Sequence, residues 1–300
     1  MSTTRGSRRP ATEQARRRVL EGVPLSERRV EVAGIDTAVL EGGEGPPLVL
    51  LHGAGEFAAT WARVIPDLLR THRLLVPDLP GHGASGVPDS KLDVDTMVAW
   101  LDELIALTCP SPPAVAGHLL GGALAARFAR TRGSQLDNLI LVDSYGLAPL
   151  RPTPGFALAM VGFIARPSER TQRGLMRQCM DDVDQVRAAA EGYLEVLEAY
   201  MLECARTPTM KAALRQLMPA LGTAVIPEED LAGIAVPTTM IWGRNDRQVR
   251  LRVAEAASAR FGWPLHVIDD CADDPAFEQP DACRDALHAA LAVTRKGTRS

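Results

Sequence analysis

The chain has 300 residues, of which 46% are hydrophobic, so it can bury a substantial core. Its formal net charge of −4 argues against nucleic-acid binding, which requires a basic surface to neutralise phosphates. Five scattered cysteines, an odd number without CxxC spacing or a neighbouring histidine cluster, predict reduced thiols in a cytoplasmic protein and no metal site.

The N-terminal segment, residues 1–27, is rich in arginine and polar side chains. It has no apolar stretch of the kind found in secretion signals. No long apolar run elsewhere predicts a membrane-spanning helix. We interpret this segment as a solvated helical arm, and we expect neither a nucleic acid nor a membrane as a partner.

From residue 28 onward, short apolar runs alternate with longer amphipathic segments, which is typical of a largely parallel sheet covered by helices. Residues 28–43 predict a hairpin, and residues 94–107 predict a helix. Further strands are predicted within 46–53, 72–83, 113–118, 136–146, 237–246 and 264–270. The loops at the carboxyl ends of such strands are where open α/β sheets place their binding sites.

The alternation stops between residues 147 and 225, where the helical segments are rich in Met, Leu and Ala. We interpret residues 147–225 as an inserted helical cap. Residues 28–146 and 226–300 are then predicted to form a doubly wound, mostly parallel α/β core. A cap over a sheet edge needs an apolar underside facing a cavity.

Four motifs, in this order, make the chain resemble the α/β-hydrolase family from about residue 28 to 290. They are LLHGAGEFAATW at 50–61, VPDLPGHGASG at 76–86, WGRNDRQV at 242–249 and VIDDCADDPAFEQPDA at 267–282. The resemblance implies an oxyanion hole built from the backbone N–H groups of Ala54 or Gly55 and of Leu120. It also assigns the acid of a catalytic triad to Asp246, and it implies no cofactor.

The nucleophile elbow departs from the family pattern Gly-x-Ser-x-Gly, because this chain has GHLLG at 117–121. The two glycines preserve the tight turn, but Leu119 at the nucleophile position has no attacking atom. The histidine of the family corresponds to Asp273. Of the triad implied by the resemblance, only Asp246 remains.

Without the serine and the histidine, no acyl-enzyme is expected at the elbow. We predict a cofactor-free, non-hydrolytic enzyme of specialised metabolism, a lyase, isomerase, dehydratase or cyclase acting on an apolar carbonyl compound. Asp273 and Asp246 would carry its proton chemistry, since two carboxylates in a dry site repel and one pKa rises. Leu119 would form the pocket floor, and the candidates for contacting the substrate are His118, Ser144 and Tyr145.

Two alternatives remain open. The chain could be a pseudo-hydrolase that binds an apolar ligand or a partner without catalysis, because such a protein would lose the same side chains. It could also be a hydrolase in which Asp273 activates water directly. The sequence identifies neither the substrate nor the oligomeric state, and a homodimer is one possibility.

Overall fold

A twisted sheet forms the centre of the computed structural model, which describes residues 11–293. Its eight strands are β1 (Ser26–Val32), β2 (Ile35–Gly42), β3 (Pro47–Leu51), β4 (Arg73–Pro77), β5 (Ala114–His118), β6 (Asn138–Val142), β7 (Thr238–Gly243) and β8 (Leu265–Ile268). They lie in the order β1-β2-β4-β3-β5-β6-β7-β8. β2 pairs antiparallel with β1 and β4, and the remaining pairs are parallel. The predicted hairpin and the mostly parallel sheet are confirmed.

Helices connect and cover these strands. They are α1 (Ala11–Leu20), α2 (Ile65–Leu68), α3 (Val94–Thr108), α4 (Leu120–Arg132), α5 (Pro154–Ala165), α6 (Glu169–Cys179), α7 (Val183–Ala189), α8 (Tyr193–Arg206), α9 (Pro208–Leu217), α10 (Glu228–Ala232), α11 (Arg252–Phe261), α12 (Pro275–Glu278) and α13 (Pro280–Leu291). α5 to α9 lie between β6 and β7, within the stretch that we call the cap. The division into core and cap remains a prediction.

The central strands read as continuous apolar runs because both of their faces are covered. Every residue of β3, β5, β6 and β7 is buried. α3 illustrates how a helix covers one face. The Asp93 carboxylate accepts the N–H of Thr96 at 3.0 Å and caps its first turn. Its buried apolar residues then follow at helical spacing, as predicted: Met97, Trp100, Leu101, Leu104 and Ile105.

The predicted N-terminal arm is packed against the protein on one side and exposed on the other where the structure describes it. Residues 11–20 form α1, which packs against α8. The Arg16 guanidinium is buried and contacts the carboxylates of Asp78 at 2.7 Å and Glu27 at 2.9 Å, and the Tyr200 hydroxyl at 3.2 Å. The helix predicted as a solvated arm is thus exposed on one side only, because buried Asp78 supplies a counter-charge for Arg16 from a distant loop. The first ten residues of the arm lie outside the described chain.

No helix in residues 11–293 is both long enough and apolar enough to cross a bilayer.

Candidate active site

Residue 119 lies at the apex of the turn between β5 and α4. Leu119 has φ 44° and ψ −104°, a backbone conformation that residues with a side chain rarely adopt. A Cβ at Gly121 would lie 2.6 Å from the carbonyl oxygen of Leu51, so the close approach requires glycine there. The Leu119 N–H donates to the Val142 carbonyl at 3.0 Å, which ties the turn to β6. The expected strained turn is confirmed, and its apex carries a buried apolar side chain.

Three backbone N–H groups near this turn have no hydrogen-bond acceptor in the described chain. They belong to Ala54, Gly55 and Leu120. Ala54 and Gly55 follow β3, whereas Leu120 begins α4 beside the neighbouring strand β5. The adjacent N–H of Gly53 is bonded at 2.7 Å to the Glu56 carboxylate. An oxyanion hole requires fixed donors of this kind and no particular side chain.

Asp246 and Asp273 lie on neighbouring loops, and Gln248 joins them. The Oδ1 atom of Asp246 accepts the N–H groups of Gln248 at 2.6 Å and Val249 at 2.8 Å. The Gln248 Nε2 atom donates to Asp273 Oδ2 at 2.8 Å. Within the described chain, Asp273 Oδ1 accepts no hydrogen bond. The structure therefore brings together the two carboxyls proposed from the sequence and leaves one oxygen of Asp273 free.

Tyr145 extends this network, but Ser144 does not. The Tyr145 hydroxyl donates to Gln248 Oε1, which orients the amide so that its NH₂ group faces Asp273. The Ser144 hydroxyl donates to the carbonyl of Tyr145 at 2.9 Å, and its side chain is buried against Gly122. Tyr145 therefore acts on the site through Gln248, whereas Ser144 bonds within its own turn.

A third carboxyl, Asp143, directly follows β6. Its Oδ1 atom accepts the N–H of Gly243 at 2.9 Å, while the Oδ2 atoms of Asp143 and Asp246 are buried without a donor. Burial, together with neighbouring Asp246, raises the pKa of Asp143 and the pKa of Asp273 well above the usual range. Burial also raises the pKa of Asp246 to about 7. Because burial opposes the ionised form of each group, these three carboxyls are not all ionised at neutral pH.

His118 joins three loops of the site. Its Nδ1 atom lies 3.1 Å from Glu56 Oε2, and its Nε2 atom lies 2.5 Å from the carbonyl oxygen of Asp273. Both partners are acceptors, so both ring nitrogens must donate and the ring is an imidazolium. Burial lowers the pKa of His118, but the Glu56 carboxylate more than offsets this and raises it well above the usual value. His118 is therefore a buried cation that holds Asp273 by its backbone.

The loop of Asp273 is also bonded to the cap. The Glu278 carboxyl accepts the N–H of Ala272 at 2.9 Å and the N–H of Asp181 at 2.6 Å. The N–H of Asp273 donates to the carbonyl of Cys179 at 3.1 Å. Burial raises the pKa of Glu278 to about 7. Because Asp181 and Cys179 belong to the cap, the cap and the core together fix the position of Asp273.

Sequence reasoning missed Glu56, Asp143 and Gln248. Glu56 and Gln248 lie inside two of the four motifs, and Asp143 follows a correctly predicted strand. Their positions along the chain therefore indicated that they lie in loops near the site. Their roles depend on side-chain directions, which motif spacing does not specify. Across residues 11–293, no three His, Cys, Asp or Glu side chains are arranged to hold a metal ion.

Comparisons with known proteins show which family the chain resembles. A model described as "Alpha/beta hydrolase family" matches residues 48–286. The 2-hydroxy-6-oxo-6-(2'-aminophenyl)hexa-2,4-dienoic acid hydrolase of Metapseudomonas resinovorans is 26% identical over 91% of this chain and 93% of its own length. The pimeloyl-[acyl-carrier protein] methyl ester esterase of Aeromonas hydrophila subsp. hydrophila is 29% identical over 69% and 80%. The crystal structure of a bacterial membrane phospholipase A superposes with a TM-score of 0.79, at 25% identity, over 93% of this chain and 90% of the other.

These findings correct the functional expectation. The predicted lyase, isomerase, dehydratase or cyclase is wrong, because the similar proteins are a dienoic acid hydrolase, an esterase and a phospholipase. The error came from taking the loss of a side-chain nucleophile as evidence against hydrolysis, and the open alternative of a hydrolase with directly activated water fits these relatives better. Water can itself attack a carbonyl when a base and an oxyanion hole are in place.

Proposed function

The chain belongs to the alpha/beta hydrolase family, and we propose that it is a hydrolase in which water attacks a carbonyl directly, without a covalent intermediate at the elbow. One observation carries the proposal. The free Asp273 Oδ1 belongs to a buried carboxyl network beside unpaired backbone N–H groups, at an elbow whose apex is Leu119. The proposed substrate is a small apolar ester or a similar carbonyl compound.

The proposed reaction uses Asp273 twice. The Asp273 carboxylate takes a proton from water as the water oxygen bonds to the carbonyl carbon. The N–H groups of Ala54 and Leu120 stabilise the resulting oxyanion. The carbon–oxygen bond to the leaving group then breaks, and Asp273 returns the proton to the departing oxygen. Asp273 ends the cycle ionised, as it began.

The surroundings of Asp273 suit it to act as a base near neutral pH. Burial and neighbouring Asp246 raise its pKa well above the usual range, which makes its carboxylate more basic than one in water. Gln248 fixes one oxygen, so the other can bind water. Because the ionised fraction of Asp273 grows with pH, activity should still increase with pH in the range where an ordinary carboxylate is already fully ionised.

Two cysteines of this region are poor substitutes for the missing nucleophile. Burial and nearby Asp273 raise the pKa of the Cys179 thiol well above its usual value, so it remains protonated. The Cys271 thiol lies 3.5 Å from Glu278 Oε1, and burial raises its pKa as well. Thiolates are the reactive form of cysteine, so covalent catalysis by either residue is disfavoured.

The decisive variant is Asp273→Asn, which preserves shape and hydrogen bonding but removes the base. We expect the hydrolysis rate of p-nitrophenyl esters to fall by roughly 10²–10⁴-fold, with little change in KM. Asp270→Asn is the matched control, because Asp270 is exposed on the same loop and has φ 51°, which asparagine adopts readily.

Full turnover by Asp273→Asn would refute the proposal, as would an acyl adduct detected by mass spectrometry during turnover of the native protein. Binding of the ester without any turnover by the native protein would also refute it and would favour the ligand-binding alternative.

A further inference from the structure

Helix α5 has an apolar surface that nothing in the described chain covers. Its 12 residues, PGFALAMVGFIA, include no polar side chain, yet only Phe156 is buried. Leu158, Val161 and Ile164 are 76%, 63% and 64% exposed, the highest values among the exposed large hydrophobic side chains of residues 11–293. Their spacing puts them along one side of the helix. A contiguous apolar surface of this kind marks a contact with another body.

Exposed arginines lie at both ends of α5. Arg151 precedes the helix, Arg166 ends it, and Arg170 follows in the first turn of α6. Within the described residues, none of these three makes an ion pair. The acidic side chain at that end, Glu169, lies 4.0 Å from Arg173. The apolar surface is therefore flanked by unneutralised positive charge.

A basic hollow adjoins the N-terminal end of α5. It is an open depression of ≈ 590 Å³ next to Thr153, the residue that caps α5. Its charged lining consists of four arginines, Arg244, Arg247, Arg250 and Arg252, and two carboxyls, Asp181 and Asp246, so basic side chains outnumber acidic ones. Arg244 pairs with Asp269 and Arg247 with Asp181, but Arg250 and Arg252 have no ion pair in the described chain. The Nε atom of Arg250 is buried without an acceptor. A buried donor without a partner in a positive hollow indicates an anionic ligand.

We propose that α5 and this hollow together bind the surface of an anionic lipid bilayer. Leu158, Val161 and Ile164 enter the boundary between headgroups and acyl chains, while Arg250 and Arg252 bind lipid phosphates. A helix of 12 residues is about 18 Å long, too short to span a membrane but suited to lie in its interface. The terminal arginines reach the headgroups with their long side chains.

Charge favours a bilayer over a second copy of the chain. Two copies of α5 packed antiparallel would bring Arg151 of one copy against Arg166 of the other, and a parallel pair would bring identical arginines together. Either arrangement places like charges side by side. An anionic surface complements both ends and the hollow at once. The sequence-based expectation of no membrane partner considered only spanning helices, which this contact does not require.

The test measures co-sedimentation of the full chain with vesicles. We expect binding to vesicles containing about one third phosphatidylglycerol, much weaker binding to pure phosphatidylcholine, and loss of binding as salt is added. The triple variant L158S/V161S/I164S and the double variant R250Q/R252Q should each reduce the partition coefficient by roughly tenfold or more. All five positions are at least partly exposed, so these variants should fold.

Matched controls change exposed side chains of the same types elsewhere. The triple variant V87S/L107S/V225S and the double variant R70Q/R215Q should leave vesicle binding unchanged. If the native protein and the triple α5 variant bind vesicles equally well, the proposal is overturned. The proposal would also be overturned, in favour of self-association, if the native protein sediments as a dimer, the triple α5 variant sediments as a monomer, and neither binds vesicles. Ester hydrolysis is a separate readout, so failure here leaves the role of Asp273 unaffected.

Discussion

Replacing Asp246 with asparagine should stabilise the protein at alkaline pH. Burial raises the pKa of Asp246 from 3.8 to about 7, so the folded protein holds this proton more tightly than the unfolded chain does. The stability that this group contributes is fully present below pH 3.8 and is lost as the pH rises through about 7. The full shift corresponds to about 4 kcal/mol, of which about 3 kcal/mol is lost between pH 5 and 8.

The asparagine side chain of this variant would keep the oxygen that accepts the N–H groups of Gln248 and Val249, and its NH₂ group could donate to Asp143 Oδ2, which has no donor. The unfolding free energy of Asp246→Asn minus that of the native protein should therefore be about 3 kcal/mol larger at pH 8 than at pH 5. Urea unfolding followed by tryptophan fluorescence measures this directly, because Trp242 is buried on β7. A stability difference that is the same at both pH values, or that declines as pH rises, would contradict the reasoning.

Three further predictions concern the surroundings of the site. Glu56→Gln leaves the His118 imidazolium without its counter-charge, so we expect a loss of roughly 3–5 kcal/mol in stability at pH 6 or a fall in the His118 pKa visible by NMR. If neither change is observed, the buried ion pair is contradicted. Gly243→Ala places a Cβ against the carbonyl oxygen of Ala272, so soluble expression or melting temperature should fall sharply, and an unchanged Tm would show that the loop yields. A fluorophosphonate probe should not label the native protein, because Leu119 has no hydroxyl, and an adduct on the elbow peptide would show that another residue is the nucleophile.

The sequence predicted the fold well because its signals are local. Apolar runs such as PLVLL mark strands covered on both faces, and the glycines of 117–121 mark a turn that only small residues permit. Motif order also placed Asp246 and Asp273 on adjacent loops. The roles of Glu56 and Gln248 could not be predicted, because they depend on how side chains from separate loops meet across space.

The buried state of Arg16 escaped prediction for the same reason, since its partner Asp78 lies far along the chain. Function was the least predictable property. The leucine at the elbow is evident in the sequence, but what a water molecule could do beside Asp273 depends on which carboxyl oxygen is free and which amides are unpaired.

The hydrogen bond from the Asp273 amide to the Cys179 carbonyl fastens the proposed base to α6. Any outward movement of α6 must break this bond and the bond between the Asp181 amide and Glu278. Hydrogen exchange at these two amides would then report one common free energy of opening, once each rate is corrected for the intrinsic exchange rate of its amide. A ligand that closes the cap would slow both amides equally, so isotope exchange at two positions would report occupancy of the site without any knowledge of the substrate.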